Sequence, residues 1–195
     1  MSYDVIFLLE EPSAKIVLDA ILPKIIPEHI TYICIDHQGK DDLTKSIPKK
    51  IKAFQCFKPD TKFVIVHDQD SHDCKKLKAD LLQLCRSAGK SEVIIRIICH
   101  ELESWFLGDL AAIEQAYELK PQSLSKKQNQ EKFRNPDRLN SAKEELRKLV
   151  SEYYPSTHSK KIAPYLSLTE NKSHSFQVFL GSINTILSTF TTGTP

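Results

Sequence analysis

Four short runs rich in apolar and β-branched residues divide the first half of the chain, at residues 3–9, 30–35, 62–66 and 92–99. Their interiors are almost continuously apolar, which is typical of strands covered on both faces of a parallel sheet. The stretches between them place apolar residues at helical spacing and predict helices from Pro12 onward, over 43–54 and over 72–88. This alternation predicts an α/β fold with an open, parallel, four-stranded sheet flanked by helices.

The pattern changes after residue 99, where helical spacing takes over at 102–117, 139–153 and 175–190. Charge changes too, because residues 1–119 hold 15 Lys and Arg against 19 Asp and Glu, whereas residues 120–161 hold 11 against 5. We therefore expect an α/β catalytic core over residues 1–119. A basic loop and α-helical extension packed on that core are expected over residues 120–195.

Composition removes several classes of site. With 5 glycines the chain contains neither of the Gly-rich loops that cradle phosphates, and its 5 cysteines include no C-x-x-C pair for zinc or redox exchange. The apolar run at 5–9 stops at Glu10 and no apolar stretch approaches the roughly 20 residues of a membrane span. We expect a cytoplasmic protein with reduced cysteines and no membrane partner.

Carboxylates follow three of the four predicted strands. Ligands of parallel α/β sheets bind beyond the carboxyl ends of the strands, so these acids are expected to meet there. Like charges sharing one site repel each other unless a cation or protons neutralise them, and oxygen ligands suit Mg²⁺ or Mn²⁺. Two such ions can clamp the attacking and leaving oxygens of a phosphodiester. The acids concerned are Glu10, Glu11, Asp68, Asp70, Glu101 and Glu103.

Histidines flank these acids at positions 67, 72 and 100, where an imidazole can protonate a leaving group. We therefore include His100 with Glu10 and Glu11 among the candidate catalytic residues. An Asp-x-Asp after a strand also begins the haloacid-dehalogenase phosphatases, in which the first Asp is the nucleophile. Those enzymes place that strand near the N-terminus, whereas two predicted strands precede Asp68 here, so this is the weaker alternative.

Longer strings carry a more specific resemblance. Glu10 after the first strand and Asp68-x-Asp70 after a later one resemble the Toprim catalytic domain of topoisomerases, primases and OLD-type nucleases. Four strings spanning most of the chain resemble the bacterial Toprim-like family called domain of unknown function 4276. They are His-Gln-Gly-Lys-Asp-Asp-Leu at 37–43, Val-His-Asp-Gln-Asp-Ser-His-Asp-Cys at 66–74, Glu-Leu-Glu-Ser-Trp-Phe-Leu-Gly-Asp at 101–109 and Asn-Lys-Ser-His-Ser-Phe at 171–176.

The resemblance implies a Mg²⁺- or Mn²⁺-dependent phosphodiesterase or nuclease acting on DNA or RNA. In this chain Glu10 would be the general acid/base or a ligand, Asp68 and Asp70 metal ligands, and Glu101 and Glu103 further ligands or orienting groups. Toprim domains usually place Gly directly after the first Glu, but this chain has Glu11 and then Pro12, so either Glu10 or Glu11 could be the functional acid. Relatives often accompany ATPases in antiphage or mobile-element loci, which implies an AAA- or ABC-type ATPase as a partner.

The basic segment supplies cations for a polyanion. Phosphate contacts need such side chains and no sequence code, although a solvated polar face would have the same composition. A competing hypothesis is a non-catalytic Toprim-like module that binds nucleic acid or an ATPase. The candidate phosphate-binding residues are Lys126, Lys127, Lys132, Arg134 and Arg138.

Overall fold

The computed structural model describes residues 2–150 and 152–191. Residue 1 of the predicted core, residue 151 of the helix predicted over 139–153 and residues 192–195 of the predicted extension lie outside the described residues. The chain forms two compact units, Met1–Ile97 and Ile98–Pro195. This division concerns packing. The boundary expected at residues 119 and 120 follows charge and stays a prediction.

The first unit contains a four-stranded parallel sheet, which confirms the predicted fold class. The strands are β1 (Val5–Leu9), β2 (Tyr32–Asp36), β3 (Lys62–Asp68) and β4 (Val93–Ile98), in the spatial order β2-β1-β3-β4. In register, β1 pairs in parallel with β2 from Val5 opposite Tyr32, and with β3 from Val5 opposite Lys62. The central position of β1 explains why all five of its residues are buried.

Three helices connect these strands: α1 (Pro12–Ile21), α2 (Lys40–Phe57) and α3 (Cys74–Ser87). Ile6 and Leu8 of β1 belong to a buried cluster with Leu43 of α2 and Leu81 of α3. Because side chains alternate along a strand, the residues between them face the opposite side of the sheet. Helix α2 is longer than the predicted 43–54 and continues through Pro48.

The second unit is helical, with α4 (Glu103–Leu107), α5 (Leu110–Ala116), α6 (Ala142–Leu149), α7 (Pro155–Ile162) and α8 (His174–Thr191). The single helix predicted over 102–117 is wrong. The helix is interrupted at Gly108 and Asp109. The Asp109 side chain accepts a hydrogen bond from the Ala112 N–H at 3.0 Å and so caps a new helix, α5. The helix predicted over 139–153 is also too long, since α6 ends at Leu149 and Pro155 begins α7.

Trp105 is the centre of packing in the second unit. It is fully buried, and its ring centroid lies 5.0 Å from that of Phe176 and 5.3 Å from that of Phe179 on α8. The sole tryptophan is therefore a core anchor and presents no exposed face to a nucleic-acid base. Among the helices of the described residues, none combines the length and apolar character needed to cross a membrane.

Candidate functional site

The carboxyl ends of β1 and β3 lie side by side in the first unit. Leu9 is opposite Val66 in the parallel register, so the next residues of the two strands, Glu10 and His67, are neighbours. The Glu10 N–H donates to the Val66 carbonyl at 3.3 Å and continues the pairing past β1. Sheet register thus brings an acid and an imidazole together, although 57 residues separate them in the chain.

Glu10 is 7% exposed, and its side-chain Oε2 accepts two hydrogen bonds. One comes from the Nδ1–H of His67 at 2.8 Å and the other from the backbone N–H of Asp68 at 2.9 Å. Buried carboxylates need such donors, because an unpaired charge away from water is costly. The two donors fix where this carboxylate lies.

His67 is 2% exposed, and its Nδ1 also lies 2.6 Å from the Asp68 carbonyl oxygen. Both neighbours of Nδ1 are acceptors, so we assign the hydrogen to that nitrogen. Burial lowers the pKa of His67, but the hydrogen bond and charge of Glu10 outweigh burial, and the net pKa is raised. The arrangement is a buried carboxylate that accepts a hydrogen bond from an imidazole.

The loop after β2 holds the Glu10 backbone. His37 Nδ1 donates to the Leu9 carbonyl at 2.8 Å, and the Gly39 N–H donates to the Glu10 carbonyl at 2.9 Å. Gly39 has φ +94°, a conformation that L side chains rarely adopt, which explains a glycine at this point. His37 is 4% exposed, and its Nε2 has no hydrogen-bond partner among the described residues.

Sequence reasoning assigned no role to His37, although its string carried the family resemblance. The signal that could have found it is a histidine directly after a strand and two residues before a glycine, on the strand that neighbours the one leading to Glu10.

Two other acids of the first unit lie near the same edge. Asp68 ends β3, and Asp70 is exposed with a left-handed φ of 50°. Glu11 precedes α1 and its Oε2 accepts a hydrogen bond from Ser13 Oγ at 3.2 Å. Glu10, and not Glu11, contacts the imidazole of His67.

The described residues contain no group of three or more His, Cys, Asp or Glu side chains arranged to hold a metal ion. Glu10 directs Oε2 at two hydrogen-bond donors, and this accounts in part for the absence of a preassembled cluster with Asp68 and Asp70. The predicted metal set, Glu10, Asp68, Asp70, Glu101 and Glu103, stays a prediction.

In the second unit the candidate carboxylates have partners of their own. Glu101 Oε2 accepts from the Lys143 N–H at 2.9 Å, in the first turn of α6. Glu103 is 5% exposed and accepts from the Tyr153 hydroxyl at 2.8 Å. Burial raises the pKa of Glu103, and the Tyr153 hydrogen bond offsets part of this rise. His100, directly before Glu101, has a left-handed φ of 59°. Glu101 and Glu103 are thus each hydrogen-bonded within their own unit, and their role as metal ligands or orienting groups stays a prediction.

Two of the family strings meet in the second unit. Trp105 Nε1 donates to Ser175 Oγ at 3.0 Å, and Asn171 Nδ2 donates to the Trp105 carbonyl at 2.8 Å. The Lys172 N–H donates to the Gly108 carbonyl at 2.7 Å. We call this set of contacts the Trp105 lock, because it holds residues 101–109 against residues 171–176.

The basic segment is better ordered than a plain loop, with two short 3₁₀ turns at Ser125–Lys127 and Pro136–Arg138. Gln128 anchors it, donating to the carbonyls of Leu107 and Phe133 and accepting from the Leu110 N–H. Lys132 forms an ion pair with Glu145, which also binds Lys148. In the described part of the chain no ion pair involves the other candidates, Lys126, Lys127, Arg134 and Arg138.

The molecule is an α/β protein whose parallel sheet carries a buried acid–imidazole pair, Glu10 and His67, at its carboxyl edge. The chain belongs to the family described as Domain of unknown function (DUF4276), whose model matches residues 9–184.

The chain is also similar in structure to the C-terminal region of the Burkholderia pseudomallei OLD protein, at a TM-score of 0.49 and 14% identity. The match covers 94% of this chain and 100% of that chain. No curated protein matches the sequence.

Proposed function

We propose that this protein is a phosphodiesterase of nucleic acid in which Glu10 and His67 transfer the proton. The observation that carries the proposal is the contact of Glu10 Oε2 with His67 Nδ1 at 2.8 Å, buried at the strand ends. The Toprim resemblance of Glu10 and Asp68-x-Asp70 supports the choice of phosphodiester chemistry. Fold alone does not define a reaction, so the geometry of this pair matters most.

Hydrolysis of a phosphodiester needs a proton taken from the attacking water and a proton given to the leaving oxygen. Glu10 can accept the proton of the attacking water and then give it to the leaving oxygen, which returns the carboxylate to its ionised form. The hydrogen bond from His67 stabilises that carboxylate before the first transfer. Positioned general acid–base groups contribute roughly 10²- to 10⁴-fold to rate. The His37 side chain and the Gly39 N–H donate to the carbonyls of Leu9 and Glu10, and these hydrogen bonds keep the two residues in place during that transfer.

Mg²⁺ or Mn²⁺ is the cofactor that the resemblance implies. Asp68 and Asp70 would hold it beside Glu10, where it would neutralise negative charge on the phosphate. The described side chains do not form a three-ligand group, so we assign the cation no step. Lys126, Lys127, Arg134 and Arg138 remain proposed phosphate contacts, and an ATPase of the AAA or ABC type remains a proposed partner.

The test is hydrolysis of labelled DNA and RNA with Mg²⁺ or Mn²⁺ present, comparing wild type with Asp70→Asn. The matched control is Asp80→Asn, an exposed carboxylate on α3 that loses the same charge. We expect hydrolysis by wild type and by the control, and loss of it in Asp70→Asn. Equal activity in all three proteins would reject the assigned site, and no activity in any would reject the enzyme.

Cation binding is tested separately by melting temperature in a Mn²⁺ titration. An ion bound only by the folded state raises stability by RT ln(1 + [L]/Kd), so wild type should melt at higher temperature as Mn²⁺ increases. Asp68→Asn with Asp70→Asn should abolish the response. A response that survives this double substitution would contradict the assigned ligands.

The competing hypothesis is a non-catalytic Toprim-like module that binds nucleic acid or an ATPase. Binding of nucleic acid without hydrolysis under any divalent cation would support this alternative.

A further inference from the structure

Helix α2 carries a basic groove in the first unit. A shallow, open depression of about 500 Å³ is lined by six residues at positions i, i+3, i+4, i+7, i+8 and i+11, which places them on one helical face. We call it the α2 groove. Its lining is Asp42, Lys45, Ser46, Lys49, Lys50 and Ala53.

Three lysines against one aspartate give the lining of the α2 groove a net positive charge. Lys45 and Lys49 are exposed and Lys50 is half-buried, and within residues 2–150 and 152–191 none of the three forms an ion pair. Asp42 is engaged elsewhere, because its Oδ2 accepts from the Gln38 N–H at 3.0 Å. The groove is therefore a concentration of positive charge that an anionic partner would neutralise.

An exposed aromatic ring stands at the end of this face. Phe57 lies one turn beyond Ala53 and is 70% exposed. Phe54, by contrast, is half-buried, and its ring centroid lies 6.2 Å from that of Tyr3. Cations that follow a phosphate backbone, together with a ring on which a base can stack, are the combination that binds single-stranded nucleic acid.

The N-terminal end of helix α2 lies beside the candidate site in the same unit. Helix α2 begins at Lys40, directly after the Gly39 that donates to the Glu10 carbonyl. At 1.5 Å per residue, Lys45 to Phe57 spans about 18 Å along the helix axis. A strand lying on α2 would thus extend away from the edge of the sheet where Glu10 lies.

We propose that the α2 groove binds single-stranded nucleic acid, with phosphates at Lys45, Lys49 and Lys50 and a base stacked on Phe57. This goes beyond the proposed hydrolysis, because binding at α2 would stand in a protein without catalytic activity. It also differs from the predicted basic segment, whose Lys132 is already paired with Glu145.

The first test measures binding of a fluorescent single-stranded oligonucleotide by anisotropy over a series of salt concentrations. The variant Lys45→Ala, Lys49→Ala, Lys50→Ala should shallow the slope of log K against log salt by about 2, and weaken binding roughly 100-fold at 0.1 M salt. The matched control removes three exposed lysines of α3 in the same unit, Lys75→Ala, Lys76→Ala and Lys78→Ala. The control should keep the wild-type slope.

An unchanged slope in the α2 variant, or an equal change in the control, would overturn the α2 groove as a site. Absence of wild-type binding would overturn it too, whatever the hydrolysis assay shows. Circular dichroism should report the same helix content in all three proteins, since the substituted side chains are exposed or half-buried.

The second test addresses the ring. Phe57→Ala should weaken single-strand binding about 5- to 100-fold and leave the salt slope unchanged, because stacking releases no counterions. Phe57→Tyr keeps the aromatic face and should bind like wild type. Binding of duplex, in which bases are already stacked, should be indifferent to Phe57→Ala. An equal loss for duplex and single strand, or no loss for either, would reject base stacking at Phe57.

Discussion

The four strings that carry the family resemblance form two different centres. Residues 37–43 and 66–74 meet around Glu10 in the first unit, where His37 and Gly39 hold the backbone and His67 and Asp68 hold the carboxylate. Residues 101–109 and 171–176 meet in the Trp105 lock of the second unit. One centre presents a titratable pair, and the other is a packed core.

Acids at the ends of strands therefore have different structural environments in the two units. Acids follow β1, β3 and β4, but Glu10 contacts an imidazole, whereas Glu101 accepts from a helix N–H and Glu103 from a tyrosine. Glu-x-Glu-Ser-Trp is the most specific string of the resemblance, and in this structure its contacts serve packing. We therefore expect substitutions in the second unit to act on stability and those around Glu10 on chemistry.

The largest expected effect on stability comes from Trp105. Trp105→Ala should lower the free energy of unfolding by about 3 to 5 kcal/mol, because it leaves a cavity where a fully buried indole packs on two phenylalanines. Urea denaturation measures this. Tyr154→Ala, at a 62% exposed ring, should change it little. A small effect of Trp105→Ala would contradict the Trp105 lock as the core of its unit.

Gly108 tests the lock by overpacking. A Cβ on this residue would lie 2.1 Å from Asn171 Oδ1 and 2.7 Å from the Ser173 nitrogen, so Gly108→Ala should cost about 1 to 3 kcal/mol. Gly181→Ala on α8 is the control, because nothing lies within 4 Å of its Cβ, and it should stabilise by roughly 0.5 to 1 kcal/mol. Equal effects of the two substitutions would refute the close approach of the two strings.

His67 predicts a pH dependence for the first centre. Its folded pKa is raised above the ordinary 6.5, so its contribution to stability is complete below pH 6.5 and is lost as pH rises through the raised pKa. His67→Gln should remove this loss from a plot of melting temperature against pH. The exposed His29→Gln should keep it. Identical plots for wild type and His67→Gln would mean that Glu10 does not stabilise the protonated imidazole of His67.

Glu103 predicts a smaller effect in a lower pH window. Its folded pKa is raised above 4.5 by burial, so stability is lost as pH rises through the raised pKa. Glu103→Gln can still accept from Tyr153 and should melt at a higher temperature than wild type above that window, with no difference below pH 4.5. Exposed Glu131→Gln serves as the control. A lower melting temperature for Glu103→Gln at neutral pH would show that the charge itself stabilises the unit.

Much of the fold was predictable because buried strands appear in the sequence as short, continuous apolar runs. Continuous apolar runs identified all four strands to within a few residues, and Glu10 and Asp68 fell at strand ends as expected. Helix ends in the second unit were not predictable from spacing. Leu102 to Tyr117 keeps helical periodicity across Gly108, and the break depends on the Asp109 side chain reaching the Ala112 N–H.

The candidate site was predictable in part. Strand-end acids are visible in the sequence, but the pairing of Glu10 with His67 depends on the β1–β3 register, which no local pattern determines. The partner of Lys132 is likewise not visible in the sequence. Composition made Lys132 a candidate phosphate-binding residue, but in the fold it forms an ion pair with Glu145. Long-range pairing decides which charges stay available.

We propose that proton transfer depends on Glu10 and not on Glu103, the buried acid of the second unit. The most direct test compares phosphodiester hydrolysis by wild type, Glu10→Gln and Glu103→Gln under one condition, with melting temperature confirming the fold of each. We predict a loss of about 100-fold or more in Glu10→Gln and a rate within a few-fold of wild type in Glu103→Gln. Undiminished hydrolysis by Glu10→Gln, or an equal loss in the two variants, would contradict the account.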